Sequence, residues 1–387
     1  MTDSLSRIAP RFESRYRTFF SDKAPVPFAI SDPGGSEKVF GHAPPRFILA
    51  ASNDAGMSAL ASLDTLRVTE AYLSGELDIT GDVEAALSIR DFFTDAHPVV
   101  AAWHMLWPKL RGQEATDKAN ISHHYDIDPD FFLAFLDKRH RCYSHGVFEC
   151  DDEELEDGIT HKLDFAAEAI EARPGDRILD VGGGWGAFTE YGGKKDLQVT
   201  SLTISRVSEK YLNAMIEREK LPCRVAFEHL HEHRPEAKYD AIVVLGVTEH
   251  LPDYDHSLAL YRSLLKPGGK VYLDASAMRR KYDLSSFLRR HIYPGNGSPM
   301  CLHDYLGAVA RSPFRLEVVY DDRHNYHLTA RHWAERFDAA RADIERRWGA
   351  AQYRKFRLYL WGCVDGFKRD FMQAYRVVLG LPTVSSA

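Results

Sequence analysis

Short apolar runs and amphipathic stretches alternate from about residue 153 to about residue 276. "RILDV" (177–181) is apolar and β-branched and directly follows the turn signal "RPGD". That pattern predicts a buried parallel strand. The amphipathic "EELEDGITHKLDFAAEAIEA" before it reads as a helix, and "AFTEYG" after it as the first turns of another. There follow a strand "LQVTSLTIS", a helix "RVSEKYLNAMIERE", a strand "YDAIVVLGV", a helix "HSLALYRSLL" and a strand "GKVYLDAS". This order predicts an α/β fold on a doubly wound, mainly parallel sheet. Residues 1 to about 115 mix strands and helices differently, and "LSGELDITGDVEAALSIRDFF" (73–93) holds a turn before a helix. The polar "KLRGQEATDKANISHHYDID" (109–128) predicts a linker. We therefore expect a smaller N-terminal α+β domain over 1–115 and a second domain over 116–387.

Composition narrows this little. With 44% hydrophobic and 27% charged residues the chain is an ordinary globular one. A net charge of −7 argues against a general nucleic-acid binder. The start, "MTDSLSRIAPRFESRYR", lacks the apolar core of a signal peptide, and no uncharged apolar run approaches membrane-span length. Five cysteines (Cys142, Cys150, Cys223, Cys301, Cys363) are scattered without metal-ligand spacing. The expectation is a soluble cytoplasmic protein with reduced thiols.

The chemistry starts after "RILDV", where four glycines occupy five positions. Glycines there let the backbone turn tightly and approach a ligand that a Cβ would hold off. A dinucleotide site would use GxGxxG. Here Gly182, Gly184 and Gly186 form GxGxG, and Asp180 stands two residues before the first. That acid-x-GxGxG pattern resembles motif I of the class I S-adenosylmethionine methyltransferases. "YDAIVVLGV" and "LLKPGG" match that family's fourth strand and the turn before its fifth.

Longer motifs resemble the cyclopropane-fatty-acyl-phospholipid and mycolic acid cyclopropane synthases. They are "HHYDIDPDFFLAFLDKRHRCYSHGVFE", "SLTISRVSEKY", "GVTEHLP", "RRHIYPGNGSP" and "NYHLTARHWAERF". "YRKFRLYLWGCVDGFKRDFMQAYRVVL" is similar to that family's C-terminal helix, and "GELDITGDVEAAL" to an N-terminal element of its longer members. The resemblance covers about 120–380 closely and the rest loosely. It implies transfer of a methyl group from S-adenosylmethionine to the double bond of an unsaturated acyl chain in a membrane phospholipid. The product would be a cyclopropane or a methyl- or methylene-branched chain. The resemblance also implies that 1–115 is an accessory, lipid-binding domain.

Site residues carry over motif by motif. Tyr143 and Ser144 would line the methionine end of the cofactor, with Gly182, Gly184 and Gly246 against it and Asp180 supporting the turn. Thr203 and Ser205 fall where the ribose is bound. Ser208 stands where the family often has glutamine. The adenine belongs near 227–233, without an assigned residue.

An alkene is a weak nucleophile, so alignment and exclusion of water must supply much of the rate. Aromatic faces would stabilise the carbocation by cation–π attraction, and Phe131, Phe132, Tyr143, Phe148, Tyr326 and Tyr359 are candidates. A base then removes a proton, and its position decides the product. In the resembled family that base is a bound bicarbonate, and Glu249 and Tyr326 match two of its ligands. The cysteine position is His145, the histidine position Asp274 and the isoleucine position Ser276. An aspartate there sets an anion against an anion, at several kcal/mol if poorly screened, so bicarbonate is doubtful. His145 is the alternative base, with Asp274 or Glu249 to orient it. A histidine that merely fills the cysteine's volume is the other reading.

"MRRKYDLSSFLRRHIYPG" (278–295) gathers Arg279, Arg280, Lys281, Arg289 and Arg290 around Leu284, Phe287 and Leu288. It suggests peripheral, salt-sensitive contact with an anionic membrane face. A homo-oligomer is left open. Two other function classes stay in play, a small-molecule C-, N- or O-methyltransferase and an inactive lipid-binding paralogue.

Overall fold

The structure is a computed structural model that describes residues 4–95, 128–293 and 297–383. The linker read at 109–128 lies almost wholly outside the described residues, as do Pro294 and Gly295 of "IYPG". The strands are β1 (Phe28–Ser31), β2 (Glu37–Phe40), β3 (Phe47–Ala51), β4 (Leu77–Gly81), β5 (Arg177–Val181), β6 (Gln198–Thr203), β7 (Arg224–Phe227), β8 (Tyr239–Leu245), β9 (Leu265–Ala277), β10 (Arg315–Asp321) and β11 (Gln373–Gly380). The principal helices of the larger unit are α1 (Leu155–Ala169), α2 (Ala187–Gly193), α3 (Arg206–Glu219), α4 (Tyr254–Leu264), α5 (Leu302–Arg311) and α6 (Arg323–Ala339).

Two compact units emerge. The first comprises the described parts of Met1–Trp103 with Ser285–Ile292 and Asp338–Asp365, and the second holds the rest. The first unit carries a four-stranded sheet, order β2-β1-β3-β4, over a phenylalanine-rich core that includes Phe12, Phe28, Phe47 and Phe92. Asp82 caps the helix after β4, its carboxylate accepting from Ala85 N–H. This unit reaches past residue 115 because Arg354 and Arg357 bond to its sheet and helices. Arg354 reaches Asp78 at 3.2 Å, and Arg357 donates to Tyr72 Oη at 3.4 Å.

The second unit is the expected class I methyltransferase fold. Its seven-stranded sheet has the order β10-β11-β9-β8-β5-β6-β7. β7, β6, β5, β8 and β9 run parallel, while β11 is antiparallel to both β9 and β10. β-branched and aliphatic residues at Ile178, Leu179, Ile242, Val244 and Leu273 make the central strands buried on both faces, as a parallel sheet requires. The chain crosses sides at β5, and the strand order reverses there, which is where such sheets bind ligands.

One expectation fails. The segment 353–379 is not a single C-terminal helix. Its helix ends at Lys368, and Gln373–Gly380 is β11. Asp370 takes a left-handed φ of 58° at the turn. The β-branched "RVV" that follows pairs with β9, Ala374 opposite Ser276 and Val377 opposite Leu273.

Candidate active site

Loops after the carboxyl ends of β5, β6, β7 and β8 enclose a cleft of about 1110 Å³, its open mouth included. Tyr143, Ser144, Asp180, Gly182, Gly184, Thr203, Ser205 and Gly246 all line it, so the structure gathers every residue expected at the cofactor. The three glycines of the turn have φ of 77°, 51° and 86° at Gly182, Gly184 and Gly186. They are not equivalent. A Cβ on Gly182 would meet Val247 at 2.4 Å, and one on Gly186 would meet Met215 at 2.8 Å. A Cβ on Gly184 would find nothing nearer than Gly182 O at 3.8 Å. Gly184 therefore keeps bare backbone toward the cleft, a cradle that a side chain would fill. Asp180 works beneath the turn, accepting from Thr189 Oγ1 at 2.8 Å and Ser201 Oγ at 3.3 Å. Burial pushes its carboxyl up to about 6. Ser208 donates to Gly184 O at 2.7 Å, so its hydroxyl serves the turn.

Under Ser144 sits an ion pair that the sequence analysis missed. Lys162 and Asp274 are both fully buried, with Nζ 3.3 Å from Oδ2. Lys162 also donates to Ser144 Oγ at 2.6 Å and to Cys142 Sγ at 3.1 Å. Ser144 Oγ donates to Asp274 Oδ2 at 3.2 Å, and Gly246 N–H to Oδ1 at 2.9 Å. Burial alone would lower the Lys162 ammonium's pKa, but Asp274 and Cys142 outweigh it and hold the group above its usual range. The charge at Asp274 is thus compensated. The electrostatic objection to bicarbonate assumed an uncompensated aspartate, and it loses that basis.

His145 is fully buried and is not part of the cleft wall. Neither Asp274 nor Glu249 orients it. Its Nε2 lies 3.1 Å from Asp322 Oδ2, and Asp322 in turn accepts from Arg376 Nη2 at 3.1 Å and Asn325 Nδ2 at 2.8 Å. Burial works to raise the Asp322 carboxyl's pKa, but the bonds from His145 and Arg376 hold it down at about 2. Asp322 is therefore a fixed anion. In its neutral form an imidazole that donates from Nε2 keeps its lone pair on Nδ1, and here Nδ1 is buried without a hydrogen-bond partner. The Tyr326 ring packs on this histidine, centroids 4.9 Å apart.

Glu249 Oε1 accepts from Ser276 N–H at 2.7 Å and Ser276 Oγ at 2.8 Å, while Oε2 is buried without a partner. Burial pushes this carboxyl up to about 7. His250, on the cleft wall, is pushed down to about 4 by burial and is neutral. Of the aromatic candidates, Tyr143 lines the cleft and packs against Phe132 at 5.3 Å. Trp185, not singled out before, also lines it, 5.6 Å from Phe132. Phe148 instead stacks on His332, and Tyr359 belongs to the first unit.

The basic segment is less free than its sequence suggests. Arg279 pairs with Asp370 at 2.7 Å and Arg290 with Glu70 at 2.9 Å, and Phe287 is buried. Its residues also divide between the two units at 284/285. No helix among the described residues is long and apolar enough to cross a membrane.

Comparison with known proteins decides the family. The model of the mycolic acid cyclopropane synthetase family matches residues 112–377. The chain belongs to that family. It is 31% identical to the cyclopropane-fatty-acyl-phospholipid synthase of Escherichia coli, over 66% of each chain. It is 25% identical to a probable fatty acid methyltransferase of Pseudomonas putida, over 81% of each. Mycolic acid cyclopropane synthase CmaA1, solved with SAH and CTAB, superposes with a TM-score of 0.63 at 25% identity, over 68% of this chain and 98% of that one. The protein is accordingly an S-adenosylmethionine-dependent methyltransferase of the lipid-modifying cyclopropane synthetase family. The bare Gly184 backbone, and a mainly apolar cleft wall that carries the hydroxyls of Thr203 and Ser205, fit that cofactor.

Proposed function

We propose that this cyclopropane synthetase family member methylates the carbon–carbon double bond of an unsaturated acyl chain in a membrane phospholipid. The observation that carries the reading is a pair of buried proton-accepting atoms without partners, His145 Nδ1 and Glu249 Oε2, on residues next in sequence to Ser144 and His250 of the cleft wall. The cofactor supplies the methyl group as a sulfonium-borne electrophile. Tyr143, Ser144, Gly182, Gly184 and Gly246 hold its methionine end, Asp180 braces the turn, and Thr203 and Ser205 lie at the ribose. The aromatic faces of Tyr143, Trp185 and Tyr326 stabilise the cation that methyl transfer leaves on the chain. His145, fixed by Asp322, then removes the proton. Loss from the new methyl closes a ring, and loss from a neighbouring carbon leaves a branched or methylene chain. Bicarbonate is not needed in this scheme.

Glu249 supports a second assignment of the base, because its open Oε2 belongs to a carboxyl titrating near neutrality. Glu249→Gln and His145→Gln therefore belong side by side in one assay. Incubation with methyl-labelled cofactor and vesicles of unsaturated phospholipid should put label into acyl chains, with mass spectrometry resolving ring, branch and methylene. Label that appears only in small soluble acceptors, or none anywhere, would overturn the proposal.

Reaching a bilayer acyl chain requires contact with the membrane face. Arg279, Arg280 and Arg290 remain exposed. Replacing Arg279, Arg280, Arg289 and Arg290 by glutamine should weaken binding to anionic vesicles, more at low than at moderate salt, and spare cofactor affinity. Equal vesicle sedimentation by the variant would identify the segment as plain solvated surface.

A further inference from the structure

Arg141 takes no part in the scheme above, yet it forms part of the cofactor cleft beside Tyr143 and Ser144. Its backbone is left-handed, φ 59°, and the turn that holds it is pinned by Asp137. Asp137 O accepts from Arg141 N–H at 3.2 Å, and the carboxylate accepts from Cys142 N–H at 2.7 Å. This turn carries the guanidinium over the end of the glycine turn, with Nε donating to Trp185 O at 3.4 Å and Nη2 lying 3.7 Å from Met215 Sδ. Glu190 pairs with Arg141 and also with Lys194, so the three side chains together keep one net positive charge.

Among the described residues of the cleft wall, Arg141 is the one arginine or lysine. S-adenosylmethionine carries a single anionic group, the carboxylate of its amino-acid moiety. With the ribose at Thr203 and Ser205 and the adenine near Glu228 and His229, that moiety faces the end of the cleft where Arg141 stands. Ser208 does not compete for it, because its hydroxyl is held by Gly184 O. A guanidinium stays protonated; Nε is held by Trp185 O, one Nη1 N–H by Arg139 O at 3.2 Å, and Nη2 by Glu190 and Met215, which leaves an Nη1 N–H for a ligand carboxylate.

We propose that Arg141 binds the carboxylate of the cofactor's amino-acid moiety through a charge-assisted hydrogen bond. This rests on the cofactor orientation given under the proposed function. Calorimetry with two ligands tests it. S-adenosylhomocysteine carries the carboxylate, and 5′-methylthioadenosine has the same nucleoside without the amino-acid part. Arg141→Gln should lower affinity for the first by about 10–100-fold and leave the second unchanged. Arg141→Lys, which keeps the charge but loses the guanidinium, should fall between. Equal losses for both ligands would mean that Arg141 only supports the fold, and an undiminished affinity for S-adenosylhomocysteine would exclude the contact. If the unaltered protein bound neither ligand, the cofactor orientation itself would fall, and this assignment with it.

Discussion

His145→Gln is expected to lower turnover by roughly 10²–10⁴-fold, the range that general-base catalysis supplies. The glutamine approximates the imidazole's volume and can still hydrogen-bond to Asp322, so packing around the buried site changes little. What it lacks is a basic nitrogen at the position of Nδ1. Cofactor affinity should hardly move, because His145 lies outside the cleft wall. In carbonate-depleted buffer the unaltered enzyme should run at full rate. Asp322→Asn should lower turnover in the same direction, since the fixed anion that orients Nε2 is gone. It should also lower the melting temperature, because Arg376 would keep a buried charge without its counter-ion. Rapid turnover by His145→Gln together with strong dependence on added bicarbonate would sink the assignment and make His145 a space-filling residue. If Glu249→Gln is the variant that fails instead, proton removal belongs to Glu249.

Gly184→Val should abolish cofactor binding as read by calorimetry. Two effects act together. A branched residue is forced into φ of 51°, and its side chain enters the space the cleft keeps open above this position. Gly175→Val separates them. Gly175 also has a positive φ, 89°, with no atom within 4 Å of a built Cβ, but it lies in the exposed turn before β5. That variant should lose some stability to backbone strain and keep its affinity. A Gly184→Val protein that binds S-adenosylhomocysteine normally would remove the glycine turn from the cofactor site.

What could be read in advance was local. The β5 strand, its glycine turn and α3, which spans the predicted 206–219 residue for residue, follow from periodicity, caps and turn residues within short windows. The cofactor residues were legible for the same reason, since they cluster in loops directly after strands. The environment of His145 was not, because its partner stands 177 positions away, across the sheet from β5. Arg376 was hidden differently, inside a segment taken for helix that is in fact β11. Lys162 left a usable signal. It sits on the stripe of α1 that buries Leu155, Ile159, Leu163 and Ala166, where a lysine needs a buried anion.

The position of β11 bears on the order in which the protein can assemble as it leaves the ribosome. β9 and β10 are made long before Gln373, yet β10 has no partner in the sheet, and β9 only β8 on one side, until β11 arrives between them. Until then β9 shows an unpaired edge in the middle of the future sheet, the kind of edge that recruits other strands. The same late segment delivers Arg376 to Asp322. The nascent chain can therefore shape its glycine turn early, while the pocket of His145 waits for β11 to be threaded in.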